Sequence, residues 1–141
     1  MVNFDIRNLG YIKKFYEQRL SKVLKSDLNV GFAVFAEVLY TKVVRTQQEL
    51  SDYALCNKAH TSRMLLKMQT KGLVKTTNLN KNSQIALTKK GEEFAEVCMQ
   101  TREELQQKLI ENINKKDLEI FSRVLAQILA NSEVVASEIK E

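Results

Sequence analysis

The sequence contains no proline and no tryptophan, and only four glycines among its 141 residues. Helix breakers and turn formers are therefore scarce, which argues for long helices and against a sandwich or barrel of many short strands. No apolar run exceeds the five residues from Phe32 to Ala36. A membrane span needs about 20, so no transmembrane segment is expected. There is a single histidine, His60, and there are two isolated cysteines, Cys56 and Cys98. That inventory fits neither a Cys/His zinc site nor a disulfide framework, and no metal is expected. The first residues carry an acid at Asp5 and lead into no apolar core of a secretory signal, so a cytoplasmic location is expected. Gly-rich phosphate loops, nucleophile elbows, paired catalytic acids and Cys/His dyads are all missing from the sequence. No enzyme and no cofactor is expected.

What the chain has is a displaced charge. The net charge of +5 decides little alone, but residues 53–91 hold no acid in 39 positions and carry eight bases. Those bases are Lys58, Arg63, Lys67, Lys71, Lys75, Lys81, Lys89 and Lys90. Residues 91–141 reverse the balance, with eleven acids and six bases. A cationic middle third points to a polyanion, since each base that neutralises a phosphate releases condensed counterions. The alternative is an ordinary solvated basic face.

Hydrophobic periodicity organises the rest. Phe4, Leu9, Ile12, Phe15, Tyr16 and Leu20 recur at helical steps and predict a helix over 3–26. A second helix is expected over 29–43. Its apolar residues nearly encircle it, so it should be central and buried. Thr46 and Glu49 have the spacing of a capping box and open a short helix with Leu50 and Ala54 inward. Asn57 offers the N-cap of a further helix over 58–71, which Gly72 should stop. On that helix Thr61, Met64, Leu65 and Met68 share one face. Ala59, Arg63, Leu66 and Thr70 share the other. Leu73–Thr77 and Gln84–Leu87 read as a hairpin around a turn over 78–83. Thr88 then caps a helix over 89–113, and Asn114 opens another to about 131, with fraying expected beyond. Leu118, Phe121, Leu125 and Ile128 form a seam for a partner helix.

Short helix, tight turn, basic helix and hairpin together define a winged helix-turn-helix. The fold class expected is thus mainly α with a small β-hairpin wing. Residues 44–88 form the DNA-binding region, and 1–43 with 89–141 form a helical region at both ends. A major groove about 12 Å wide admits one helix, whose small and polar residues reach base edges while lysines hold phosphates.

Three stretches carry a resemblance. They are Gln48-Glu-Leu-Ser-Asp-Tyr-Ala54, Asn57-Lys-Ala-His-Thr-Ser-Arg-Met-Leu-Leu-Lys-Met-Gln-Thr-Lys-Gly-Leu-Val74, and Leu87-Thr-Lys-Lys-Gly-Glu-Glu93. They resemble the multiple-antibiotic-resistance regulator (MarR) family, with its "ELA" helix, recognition helix, "K-G-L-V" and "L-T-x-x-G". The resemblance implies a homodimer built from the terminal helices on a pseudo-palindromic operator in double-stranded DNA, released when a small-molecule effector or an oxidant shifts the spacing of the recognition helices. By motif position it implies DNA contacts from Asn57, Lys58, Ala59, His60, Ser62, Arg63 and Lys67. The family's wing carries an Asp-Arg pair; this wing is shorter and lacks it, so Lys81 is expected to touch a phosphate only.

Each of these residues has a plainer role beside the sharper one. Arg63 suits a guanine edge or a phosphate, and Lys58 and Lys67 suit phosphates. His60 suits a base contact or a pH sensor. Leu66 suits a thymine methyl, or packing against a neighbouring element, which is favoured. Cys56 and Cys98 suit small buried positions better than redox sites. Phe15, Tyr16, Phe32, Phe35 and Tyr40 suit either a ligand cavity or plain core. The alternative function is a winged-helix protein–protein adaptor that does not read DNA.

Overall fold

The computed structural model describes residues 3–24, 28–79 and 82–138. By mutual contacts the chain divides into residues 1–105 and residues 106–141. Six α-helices and one hairpin are described: α1 Arg7–Val23, α2 Ala33–Thr41, α3 Gln47–Ala54, α4 Lys58–Thr70, β1 Val74–Leu79, β2 Asn82–Leu87, α5 Lys89–Leu109 and α6 Lys115–Glu138. The winged-helix order is the one the sequence predicts, and no described helix is long and apolar enough to cross a membrane.

Helix starts follow their capping chemistry. The Glu49 amide donates to Thr46 Oγ1 at 3.1 Å. Glu49 Oε2 reaches past the cap and accepts from the Arg45 amide at 3.0 Å. At α4 the Asn57 side chain accepts from the His60 amide at 2.8 Å. Its end follows the glycine rule: Gly72 sits at φ 73°, and the Leu73 amide returns to the Met68 carbonyl at 2.9 Å. The α3–α4 turn uses the same closure without glycine. Leu55 occupies the left-handed region at φ 54°, and Cys56 N–H bonds to the Ser51 carbonyl at 3.1 Å.

Several sequence expectations change. The first helix is shorter than 3–26 at both ends. The second begins as a single 3₁₀ turn, Val30–Phe32, before α2. That helix is not buried all round: Ala33, Phe35, Ala36 and Leu39 face the core, while Val34 and Tyr40 are exposed. The wing ladder continues into the expected turn, pairing Asn78 with Ser83 and Leu79 with Asn82. Val44 adds a bridge to Ile85, a third edge that the sequence reading missed. In the second unit α6 runs to Glu138 where fraying was expected beyond about 131. Val134 and Val135 continue its apolar pattern, and no proline or glycine interrupts it.

The core of the first unit joins every element from α1 to α5. Leu20, Phe35, Leu50, Met68 and Leu73 are fully enclosed, with Val44 and Cys98 beside them. Burying each large side chain contributes about 1.5–3 kcal/mol. This packing fixes α4 from behind.

Candidate nucleic-acid interface

Helix α4 divides cleanly. Thr61, Met64, Leu65 and Met68 are buried, and Thr61 Oγ1 donates to the Asn57 carbonyl at 2.9 Å, so its hydroxyl is satisfied within the helix. The opposite face presents Lys58, Ala59, Ser62, Arg63, Leu66, Lys67 and Thr70 to the surface. No acid lies on this helix or the wing, and among the described residues no ion pair engages Lys58, Arg63 or Lys67. Unpaired cations on a rigid, convex helix attract a polyanion without first breaking internal contacts.

The sequence-predicted residues separate into four groups. Lys58, Ala59, Ser62, Arg63 and Lys67 lie together on the exposed side of α4. Asn57 is exposed, but its side-chain oxygen is committed to capping the helix. His60 is half-buried, its ring 5.9 Å from the Phe35 ring and tilted by 43°, so it turns toward α2 and not outward with Arg63. Lys81 lies outside the described residues. Leu66 does not pack on a neighbour as favoured above; it stays 64% exposed. Lys75 on β1 and Lys71 at the end of α4 are also exposed, adding cations beside the predicted set.

A staple joins α4, the wing and α5. Thr88 Oγ1 donates to the Gly72 carbonyl at 2.5 Å and accepts from the Gly91 amide at 3.1 Å. The Thr88 amide donates to the Leu73 carbonyl at 2.9 Å. Lys90 Nζ reaches the Lys71 carbonyl, also at 2.9 Å, placing a cation at the negative end of α4. The "L-T-x-x-G" motif is thus a positioning device for the basic helix. A glycine is required at its end, because a Cβ on Gly91 would stand 2.0 Å from the Leu73 carbonyl oxygen.

Within the first unit, a cleft of about 830 Å³ opens between α1, α2, the α3–α4 turn and α5. Tyr16, Glu37, Leu55, His60 and Arg102 are among its walls. Arg102 Nε donates to Glu37 Oε1 at 2.8 Å. Partial burial, then the Glu37 carboxylate, holds the Tyr16 phenol above its usual range. Of the aromatic residues considered for a cavity, only Tyr16 lines this cleft. Phe32 and Phe35 are core, Phe15 is exposed elsewhere, and Tyr40 donates to Glu96 at 3.1 Å. Cys98 is enclosed, and burial with nearby Glu37 pushes its thiol up to about 12. It stays protonated at neutral pH and is a poor nucleophile. Cys56 is half-buried, its thiol directed at the Ala54 carbonyl at 3.4 Å. No cluster of metal-ligating side chains occurs among the described residues.

Compared as a sequence, the chain matches no family model and no curated protein. Compared as a structure, it matches many. The transcriptional regulator SlyA superposes with a TM-score of 0.85 at 13% identity, covering 96% of this chain and 98% of that one. A putative MarR-family regulator from Listeria monocytogenes, crystallised with a 26mer DNA, gives 0.80 at 16% identity over 99% and 98%. Bordetella bronchiseptica BpsR, whose DNA binding is regulated by 6-hydroxynicotinic acid, gives 0.71 at 12% identity over 91% and 98%. The chain therefore has the winged-helix fold of MarR-family transcriptional regulators, with identities so low that the likeness is one of fold.

Proposed function

We propose that this chain is a sequence-specific transcriptional regulator that binds double-stranded DNA as a homodimer on a pseudo-palindromic operator. One observation carries the reading: the exposed side of α4 offers Lys58, Ser62, Arg63 and Lys67 with no acid anywhere on the helix, while its other side is locked in the core. The Listeria regulator of the same fold, crystallised with DNA, supports it. Residues 44–88 are the DNA-binding region in this reading, and Arg63 is the base reader, with Lys58, Lys67 and Lys81 on phosphates.

The dimer reading rests on α6. It buries no residue, yet carries Phe121, Val124, Leu125 and Leu129 exposed at helical spacing. A second copy would cover that seam, and residues 1–43 with 89–141 would form the dimerisation region. The cleft beside His60 is the place for a small effector, a reading supported by BpsR, whose DNA binding a small acid regulates. Such a regulator works in the cytoplasm, needs no cofactor and catalyses nothing.

Selection of bound fragments from random duplexes tests this. The expected result is an inverted repeat with half-site centres about 34 Å apart, one DNA turn. Arg63→Ala should then weaken binding and relax preference at one position per half-site by about 1–3 kcal/mol. No enriched sequence, or retention of protein partners in place of duplex, overturns the reading in favour of an adaptor.

A further inference from the structure

We propose that Leu66 is a specificity-determining residue that reads the 5-methyl group of thymine in the major groove; the inference rests on the DNA-binding reading of α4. Successive residues turn about 100° around a helix. On that wheel Leu66 falls between Ser62 and Arg63, in the middle of the exposed stripe and about 160° from buried Met68. Its side chain is 64% exposed, although the core lies one residue away at Leu65, which is 4% exposed. A leucine left in water at that point gains nothing for the fold.

Its neighbours say what covers it. Ala59 and Thr70 extend the stripe with small side chains, leaving Leu66 the most protruding apolar group between them. Thr70 turns its hydroxyl inward, donating from Oγ1 to the Leu66 carbonyl at 3.0 Å. Arg63 and Lys67 lie beside the leucine on one side and, among the described residues, form no ion pair. An apolar group with cations beside it suits a surface that is anionic at its edges and apolar at one spot inside. The major groove is such a surface: phosphates line its rims, and the thymine methyl is the apolar group on its floor. An apolar protein partner would not call for the cations, and α4 shows no second apolar residue of comparable size on this face.

The test replaces single thymines by deoxyuridine in a duplex selected by the full-length chain. Only the methyl is removed, and every hydrogen-bonding group stays. The expected result is a loss of about fourfold in affinity at one thymine of each half-site, the worth of one buried methyl. Leu66→Ala should bind the thymine and uracil duplexes equally at that position. Its melting temperature should match the parent chain, since the side chain lies outside the core. A parent chain indifferent to every thymine-to-uracil exchange overturns the proposal, and so does a Leu66→Ala variant that keeps the same methyl preference. Failure to bind any duplex overturns the DNA-binding reading and this inference with it, an outcome distinct from tight binding without methyl sensitivity.

Discussion

Gly91 brings its backbone so near the Leu73 carbonyl that any side chain would overlap it, with a Cβ–oxygen separation of 2.0 Å. Neither partner is a flexible tip; one is backbone between α4 and β1 and the other is the first turn of α5. Gly91→Ala should therefore cost about 3 kcal/mol and lower the melting temperature by about 10 °C in calorimetry. An unchanged melt would mean that α5 shifts freely against the wing. Leu55 shows the opposite situation, a leucine in the left-handed region with 72% of its surface exposed. Its Cβ crowds the following carbonyl oxygen, which makes that backbone geometry costly. At this scale the sequence reveals Arg63, Lys67 and Thr61, because helical spacing alone assigns a residue to the inward or outward face. It does not reveal His60, whose ring is drawn to Phe35 on a different helix, a contact that periodicity cannot express. Lys71 and Lys75 sit in the acid-free run, but their exposure beside α4 depends on how the wing folds back.

Among elements, the hinge between α4, wing and α5 rests on Thr88. Its hydroxyl both donates and accepts, so replacing it with an isosteric apolar residue leaves the Gly72 carbonyl and the Gly91 amide without partners. Thr88→Val should cost about 1–2 kcal/mol by thermal or urea melting, while Thr88→Ser should remain close to the parent. Equal melts for Val and Ser would show that the hydroxyl does not hold the junction. Capping residues made most elements visible in advance: Thr46, Asn57, Gly72, Thr88 and Asn114 each mark a boundary near the observed one. The misreadings have local causes. Residues 78–83 read as a turn, yet the ladder of backbone bonds continues at Asn78, Leu79, Asn82 and Ser83 whatever their side chains. Val44 stands alone between two helices, too short a signal for a strand, and only its pairing with Ile85 reveals it. The apolar run of α2 reads as a helix buried all round, but one side of it faces outward in the single chain.

For the whole molecule, the densest run of cations and the exposed apolar face of α6 lie in different parts of the chain. Cations crowd residues 53–91, and α6 carries exposed Ile120, Phe121, Val124 and Leu129 with no described buried residue. In the proposed dimer two copies of α4 would meet one duplex, doubling the phosphates engaged. Binding that depends on counterion release has a signature independent of any sequence preference. The decisive measurement is duplex affinity as a function of salt. The expected slope of log affinity against log salt is about −0.9 for each phosphate neutralised, and six or more contacts would cost at least about 10³-fold between 50 and 200 mM. An affinity that stays level across that range would contradict a cationic helix seated in a DNA groove.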